Sequence, residues 1–412
     1  MSRLRIVVTG LAATYPLGGV FWDYLQYALG FVRLGHEVLY LEDTARWCYD
    51  PEQSTFVESG ERNAAYLARE LPKLVPELRD RWFFRDIGGM TWGWDWHRVA
   101  EFCRSADLFI NISASCHMRE EYFEAGRVAF IDSDPMYTQG LIPDYTAGKV
   151  ADPKLRAQTE MMLAHDVFFT FGENINAADC RIPRMLVDWI PTRQPIVNEC
   201  FAGAGIEVPP AARRTMLTTV MSWEPAEKGP VVEGVAYTGK STEFMRFLEL
   251  PGRSPIAMEI AISGRPPHQR LRAAGWRLVD AYDVSRDPWI YRGYLANSIG
   301  EWSVAKNAYV ASRSGWFSCR SACYLSLGVP VIVQDTGFGC ALPSGEGILA
   351  FSTMDEARAA IEALDASPLR QGRTAREIAH EYFDFRKVLP ELIERAMSKG
   401  RRASAKVRTP AD

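Results

Sequence analysis

The sequence predicts an α/β protein of two domains, each a parallel sheet covered by helices. Three observations predict it. Its 412 residues exceed what one hydrophobic core usually organises. Short apolar runs alternate with helically spaced segments in two separate series. Between the series, residues 188–210 contain Pro191, Pro195, Pro209 and Pro210 and show little periodicity.

The first series opens with a strand at 4–9, a loop at 10–19 and a helix at 20–34. Val20, Tyr24, Tyr27, Ala28 and Phe31 share one face of that helix. Gly35 ends it, and a strand follows at 37–41, completing a unit of βαβ length. Glu42 and Asp43 come just after, where a dinucleotide fold often keeps an acidic residue, but the chain has no GxGxxG. Residues 44–95 are irregular and Trp-rich, with a helix at 61–74. Trp92, Trp94 and Trp96 alternate there, as an acceptor platform or a packed flap. Strands at 107–111, 128–131 and 167–170 then alternate with helices at 117–124 and 153–164.

The second series places strands at 216–220, 256–260 and 277–279 and helices at 242–248, 268–274 and 288–298. The stretch 307–338, NAYVASRSGWFSCRSACYLSLGVPVIVQDTGF, reads as a strand at 308–310, a turn at 312–315, a helix at 317–328, a strand at 331–333 and a polar loop. Helices at 354–364, 374–382 and 385–397 follow. The expected division is two Rossmann-like domains, 1–190 and 213–384, facing each other across a cleft, with a linker at 191–212, a helix at 385–398 and a disordered basic tail at 399–412.

Hydrophobic residues at 47% and charged residues at 24% fit an ordinary soluble protein. The net charge of −4 argues against a nucleic-acid partner. Eight cysteines without a CxxC pair read as free thiols in a reducing cytoplasm. No apolar run reaches the ~18 residues of a membrane span. Arg3 and Arg5 precede only Ile6-Val7-Val8, too short for a signal peptide.

Two such domains, with this stretch in the second, resemble the GT-B glycosyltransferases, most clearly over residues 215–389. Gly328-Val329-Pro330-Val331 matches the family's Gly-x-Pro-Val after its helix, and 377–383 is similar to the closing helix. The resemblance implies transfer of a sugar from a nucleotide-diphosphate donor to a hydroxyl-bearing acceptor (small molecule, glycan or peptide), with no obligatory metal or cofactor. Retaining members often carry two glutamates eight residues apart. Gly315 and Cys323 stand there, which leaves Arg320, Ser321 or backbone to substitute. The Arg-Ser-Ala-x-Tyr-Leu helix resembles spore-maturation-type glycosyltransferases, which also lack the pair. A nucleotide-sugar epimerase and a non-catalytic nucleotide-sugar-binding protein are the alternatives.

Glycosyl transfer needs a neutralised leaving diphosphate, an oriented donor and, for inversion, a base. The diphosphate is assigned to the amides of Ser314 and Gly315 at a helix start, with Arg313, Lys240 and Arg265 as cations past strand ends. Phe317, Ser318 and Arg320 open the helix on the same donor side. Gln334, Asp335, Thr336 and Gly337 are candidates for sugar hydroxyls. Gly18 and Gly19 resemble the glycine loop that closes over the donor. His117, Asp134 and Asp23 are the candidate bases. Asp132-Ser133-Asp134 has the spacing of a metal triplet but falls in the acceptor domain, so no metal ligands are assigned.

Overall fold

The computed structural model describes residues 2–202, 208–223 and 229–400. Of the expected disordered tail, 401–412 lies outside the described residues. Eight strands form the first sheet: β1 (Arg5–Thr9), β2 (Glu37–Asp43), β3 (Trp82–Arg85), β4 (Thr91–Gly93), β5 (Leu108–Ile112), β6 (Val128–Asp132), β7 (Val167–Thr170) and β8 (Trp189–Pro191). Their order is 8-7-6-5-1-2-3-4. All neighbours are parallel except the β3–β4 pair. The order reverses between β1 and β5, which opens a crevice at the strands' carboxyl ends.

The second sheet contains β9 (Arg214–Trp223), β10 (Ala257–Gly264), β11 (Arg277–Asp280), β12 (Ser298–Ser303), β13 (Val331–Gln334) and β14 (Ile348–Phe351). Its order is 11-10-9-12-13-14, parallel throughout, and it reverses between β9 and β12.

Helix α1 (Gly18–Arg33) is the seam between the halves. Phe21, Trp22, Leu25, Ala28 and Phe31 are fully buried, far more than a one-sided surface helix requires. A Cβ on Gly18 would lie 2.7 Å from the Asp287 carbonyl oxygen, so only glycine lets α1 sit this close. The Trp22 indole N–H donates to the Pro288 carbonyl at 2.7 Å. One continuous apolar cluster joins Trp22 and Leu25 to Tyr291, Leu295 and Tyr324. The last helix, Phe385–Ser398, returns to the first half and packs Phe385 and Leu389 onto Gly30.

Several expected elements differ. Residues 307–311 form a helix, Asn307–Ala311, not a strand. The central strand is β12, whose sequence SIGEWS hides a buried Glu301 that breaks the apolar signal. Only a single 3-10 stretch, Glu120–Glu124, forms within 117–124. Glu42 and Asp43 lie inside β2 and are already engaged. Glu42 accepts from the Ala13 and Thr14 amides at 2.7 and 2.9 Å, and Asp43 pairs with Arg119. The tryptophan alternation is a packed flap: Trp94 is buried and Trp92 stacks on Phe84.

Candidate functional site in the interdomain cleft

A cavity of about 380 Å³ lies between the halves. Its floor is the carboxyl edge of the second sheet: Ser222 of β9, Ser263 of β10 and Asp280 of β11. This is where open parallel sheets collect ligands. The opposite wall is the start of α1, with Leu17, Gly19, Val20 and Asp23. Tyr49, Pro51 and Ser54, from the hairpin Cys48–Asp50/Thr55–Val57, border it on the same side.

Three features make the second-half wall electropositive. The helix Cys319–Ser326 begins here, and Ser318, Cys319 and Arg320 all line the cavity, so the positive end of its dipole is at the wall. Lys240 opens the helix Lys240–Arg246 at the same surface. Arg320 is held by Glu301 at 2.7 Å and by the Val220 carbonyl at 2.7 Å. Glu301 is fully buried and its second oxygen lacks a partner. The Arg320 charge is therefore fixed in place, and partly offset from below.

Asp23 faces this wall from α1. Burial pushes its carboxyl up to about 6 from an ordinary 3.8; a hydrogen bond with the Cys319 thiol opposes the shift and the Asp134 charge adds to it. A carboxylate poised there can take a proton near neutral pH. Cys319 comes from the second half, so the site's titrating group is completed across the seam.

No family model matches this chain, and no curated protein matches it. Solved structures do. An α-glucosyltransferase in complex with UDP-glucose and DNA containing an abasic site superposes at TM-score 0.56 and 11% identity, over 96% of this chain and 100% of that one. HepE from Anabaena in complex with UDP-glucose superposes at TM-score 0.51 and 9% identity, over 96% and 100%. The chain has the GT-B fold. The expectation of no nucleic-acid partner does not stand, because an α-glucosyltransferase of this same GT-B fold is solved on DNA.

Within the GT-B frame, Gly19, Asp23, Lys240, Ser318 and Arg320 line the cleft as the sequence reading placed them, and Gly18 packs at its edge against Tyr291. The Arg313–Gly315 turn does not. Ser314 is fully buried, its amide donates to the Tyr309 carbonyl at 3.1 Å, and the Gly315 amide donates to Thr336 at 2.8 Å. These donors are consumed and cannot cradle a diphosphate. The turn instead clasps the first half. The Ser314 carbonyl accepts from the Asn174 amide at 3.1 Å, and Ser312 from the Arg181 amide at 2.8 Å. Arg313 pairs with Asp179 at 2.5 Å and Asp335 at 3.5 Å.

The sugar-hydroxyl candidates are likewise occupied. Gln334 donates to Glu243 at 2.6 Å and accepts from the Ala305 amide. Asp335 closes a turn onto the Gly337 amide at 2.8 Å, and the Thr336 hydroxyl donates to the Trp316 carbonyl at 2.6 Å. Gly337, at φ 90°, packs on Asn174. Phe317 lines only a small void behind the helix start. Arg265 is exposed and outside the cavity lining. So is His117, whose amide is tied to the Asp43 carbonyl. Asp134 is tied up in an ion pair with Lys306 at 2.9 Å. Sequence reasoning missed Ser263, Asp280, Tyr282 and Tyr49. Asp280 carried a readable signal, an aspartate closing a strand and capping the next helix.

No described helix is long and apolar enough to cross a membrane.

Proposed function

We propose that this protein transfers a glycosyl group from a nucleotide-diphosphate sugar to a hydroxyl-bearing acceptor bound against the first half. The observation that carries this reading is the facing pair of walls: a helix start with Lys240 and Arg320 on one side, and the raised-pKa carboxyl of Asp23 on the other.

Each wall has its own task. The diphosphate lies against the Ser318–Arg320 helix start and Lys240, which offset the charge that builds as the glycosidic C–O bond breaks. The acceptor oxygen attacks the anomeric carbon, the diphosphate leaves with the bonding electrons, and Asp23 takes the acceptor's proton. In this reading these groups neutralise the charge without a bound metal. The free thiols fit a reducing cytoplasm.

Thermal denaturation with UDP, GDP, TDP and ADP tests the reading. A ligand bound only by the folded state raises Tm. At least one diphosphate stabilises the protein, and Lys240→Ala reduces that shift. Four identical melting curves would overturn the proposal.

A further inference from the structure

The cleft's mouth carries an aromatic ledge that the donor chemistry does not use. Tyr49 and Phe56 are directly opposite in the hairpin Cys48–Asp50/Thr55–Val57, so both point to the same face. Their rings lie 5.4 Å apart, and Tyr15 sits 6.1 Å from each. The other face of the hairpin is anchored: Cys48 and Asp50 are buried, and Asn63 donates to the Tyr49 carbonyl at 3.1 Å. The Tyr49 amide donates to the Thr14 carbonyl at 2.9 Å. The ledge is thus fixed in place, yet Phe56 remains 53% exposed. Through Tyr49 the ledge adjoins the cavity, and exposed aromatic surface on a rigid support beside a mainly apolar cleft is the usual composition of a recognition surface.

Its position selects the occupant. Tyr49, Pro51 and Ser54 border the cavity on Asp23's side, opposite the cationic wall. The rim here carries exposed carboxylates, Glu52 from the hairpin and Asp283 from across the cleft; Arg286 lies near Tyr282, and the exposed Arg62 is paired with Asp50 at 3.5 Å. Carboxylates at the rim disfavour an anionic headgroup, and ring faces favour a flat or ring-shaped partner.

We infer that the Tyr15–Tyr49–Phe56 ledge is the acceptor platform, and that the acceptor presents its hydroxyl on or beside an uncharged ring. This rests on the glycosyl-transfer reading above.

The test uses the full chain saturated with the diphosphate that stabilises it. The probes are 4-nitrophenyl β-D-glucopyranoside and methyl α-glycerol ether, an uncharged polyol without a ring, followed by saturation-transfer NMR. The aryl glycoside binds, the ring-free polyol does not, and Phe56→Ala weakens aryl binding at least fivefold while Phe56→Trp retains it. Diphosphate binding stays unchanged in Phe56→Ala, since this side chain does not line the cavity, and a cooperative melt shows that the variant is folded. An aryl glycoside that fails to bind, or binds equally to Phe56→Ala, overturns the ledge. Loss of diphosphate binding by the parent protein would instead overturn the donor reading.

Discussion

A Cβ placed on Gly315 would lie 2.3 Å from the backbone nitrogen of Asn174, so the two halves meet at a point where a side chain has no room. Gly315 is also at φ 79°, a conformation that L residues reach only under strain. Gly315→Ala is expected to cost about 2–4 kcal/mol, combining backbone strain with a clash against main chain that cannot swing away. The urea midpoint measures it. A variant as stable as the parent would show that this contact does not hold the halves together.

Asp23→Asn separates catalysis from stability. As the base, Asp23 works ionised, so turnover rises with pH through about 6 and levels above it. Asn removes that limb and lowers kcat roughly 10²–10⁴-fold. Stability runs the other way. A folded pKa above the ordinary value means that the native state binds the extra proton between about pH 4 and 6, so Asp23's contribution falls as pH rises through that window. At pH 8 the Asn variant should therefore be more stable than the parent, by about 1–2 kcal/mol. A parallel loss of stability in Asp23→Asn would contradict the assignment.

Arg320→Ala leaves Glu301 buried without its counter-ion. Removing one partner of such a pair costs about 3–5 kcal/mol. The double variant Arg320→Met with Glu301→Gln should recover most of that loss. It should not recover diphosphate stabilisation, because the cation at the cavity wall is gone. Thermal melts with and without the diphosphate distinguish the two effects.

His117→Ala should leave kcat and KM within about twofold of the parent, since the imidazole is exposed and outside the cleft. A hundredfold loss would move the base away from Asp23.

Turnover measured after exhaustive treatment with EDTA should match turnover with added Mg²⁺ or Mn²⁺. Abolition by the chelator would require a metal that the cleft's own cations were assigned to replace.

The layered α/β order was legible because β1, β7 and β13 are short apolar runs next to glycine and proline punctuation. The central strand β12 was not. Its Glu301 and Gly300 break the apolar run, and only Arg320, nineteen residues on and brought close by the fold, explains why a carboxylate can be buried there. The same limit affected the site. Sequence order put Lys240 past a strand end and Ser318 and Arg320 at a helix start, and all three line the cavity. It could not show that the amides of Ser314 and Gly315 already donate to Tyr309 and Thr336, because those partners are set by tertiary packing. Asp23 was one of three candidate bases by position. What distinguishes it is burial against Cys319 from the other half, a contact that no local pattern encodes.

Trp22 and Trp289 belong to opposite halves, yet their rings cross edge-to-face at 5.6 Å. Indoles this close couple optically. Because the chain has twelve tryptophans, the difference in near-ultraviolet circular dichroism between the parent and Trp289→Phe gauges the spacing of the two lobes without any attached dye. A ligand that pries the lobes apart, or draws them tighter, should announce itself in that spectrum before any product has formed.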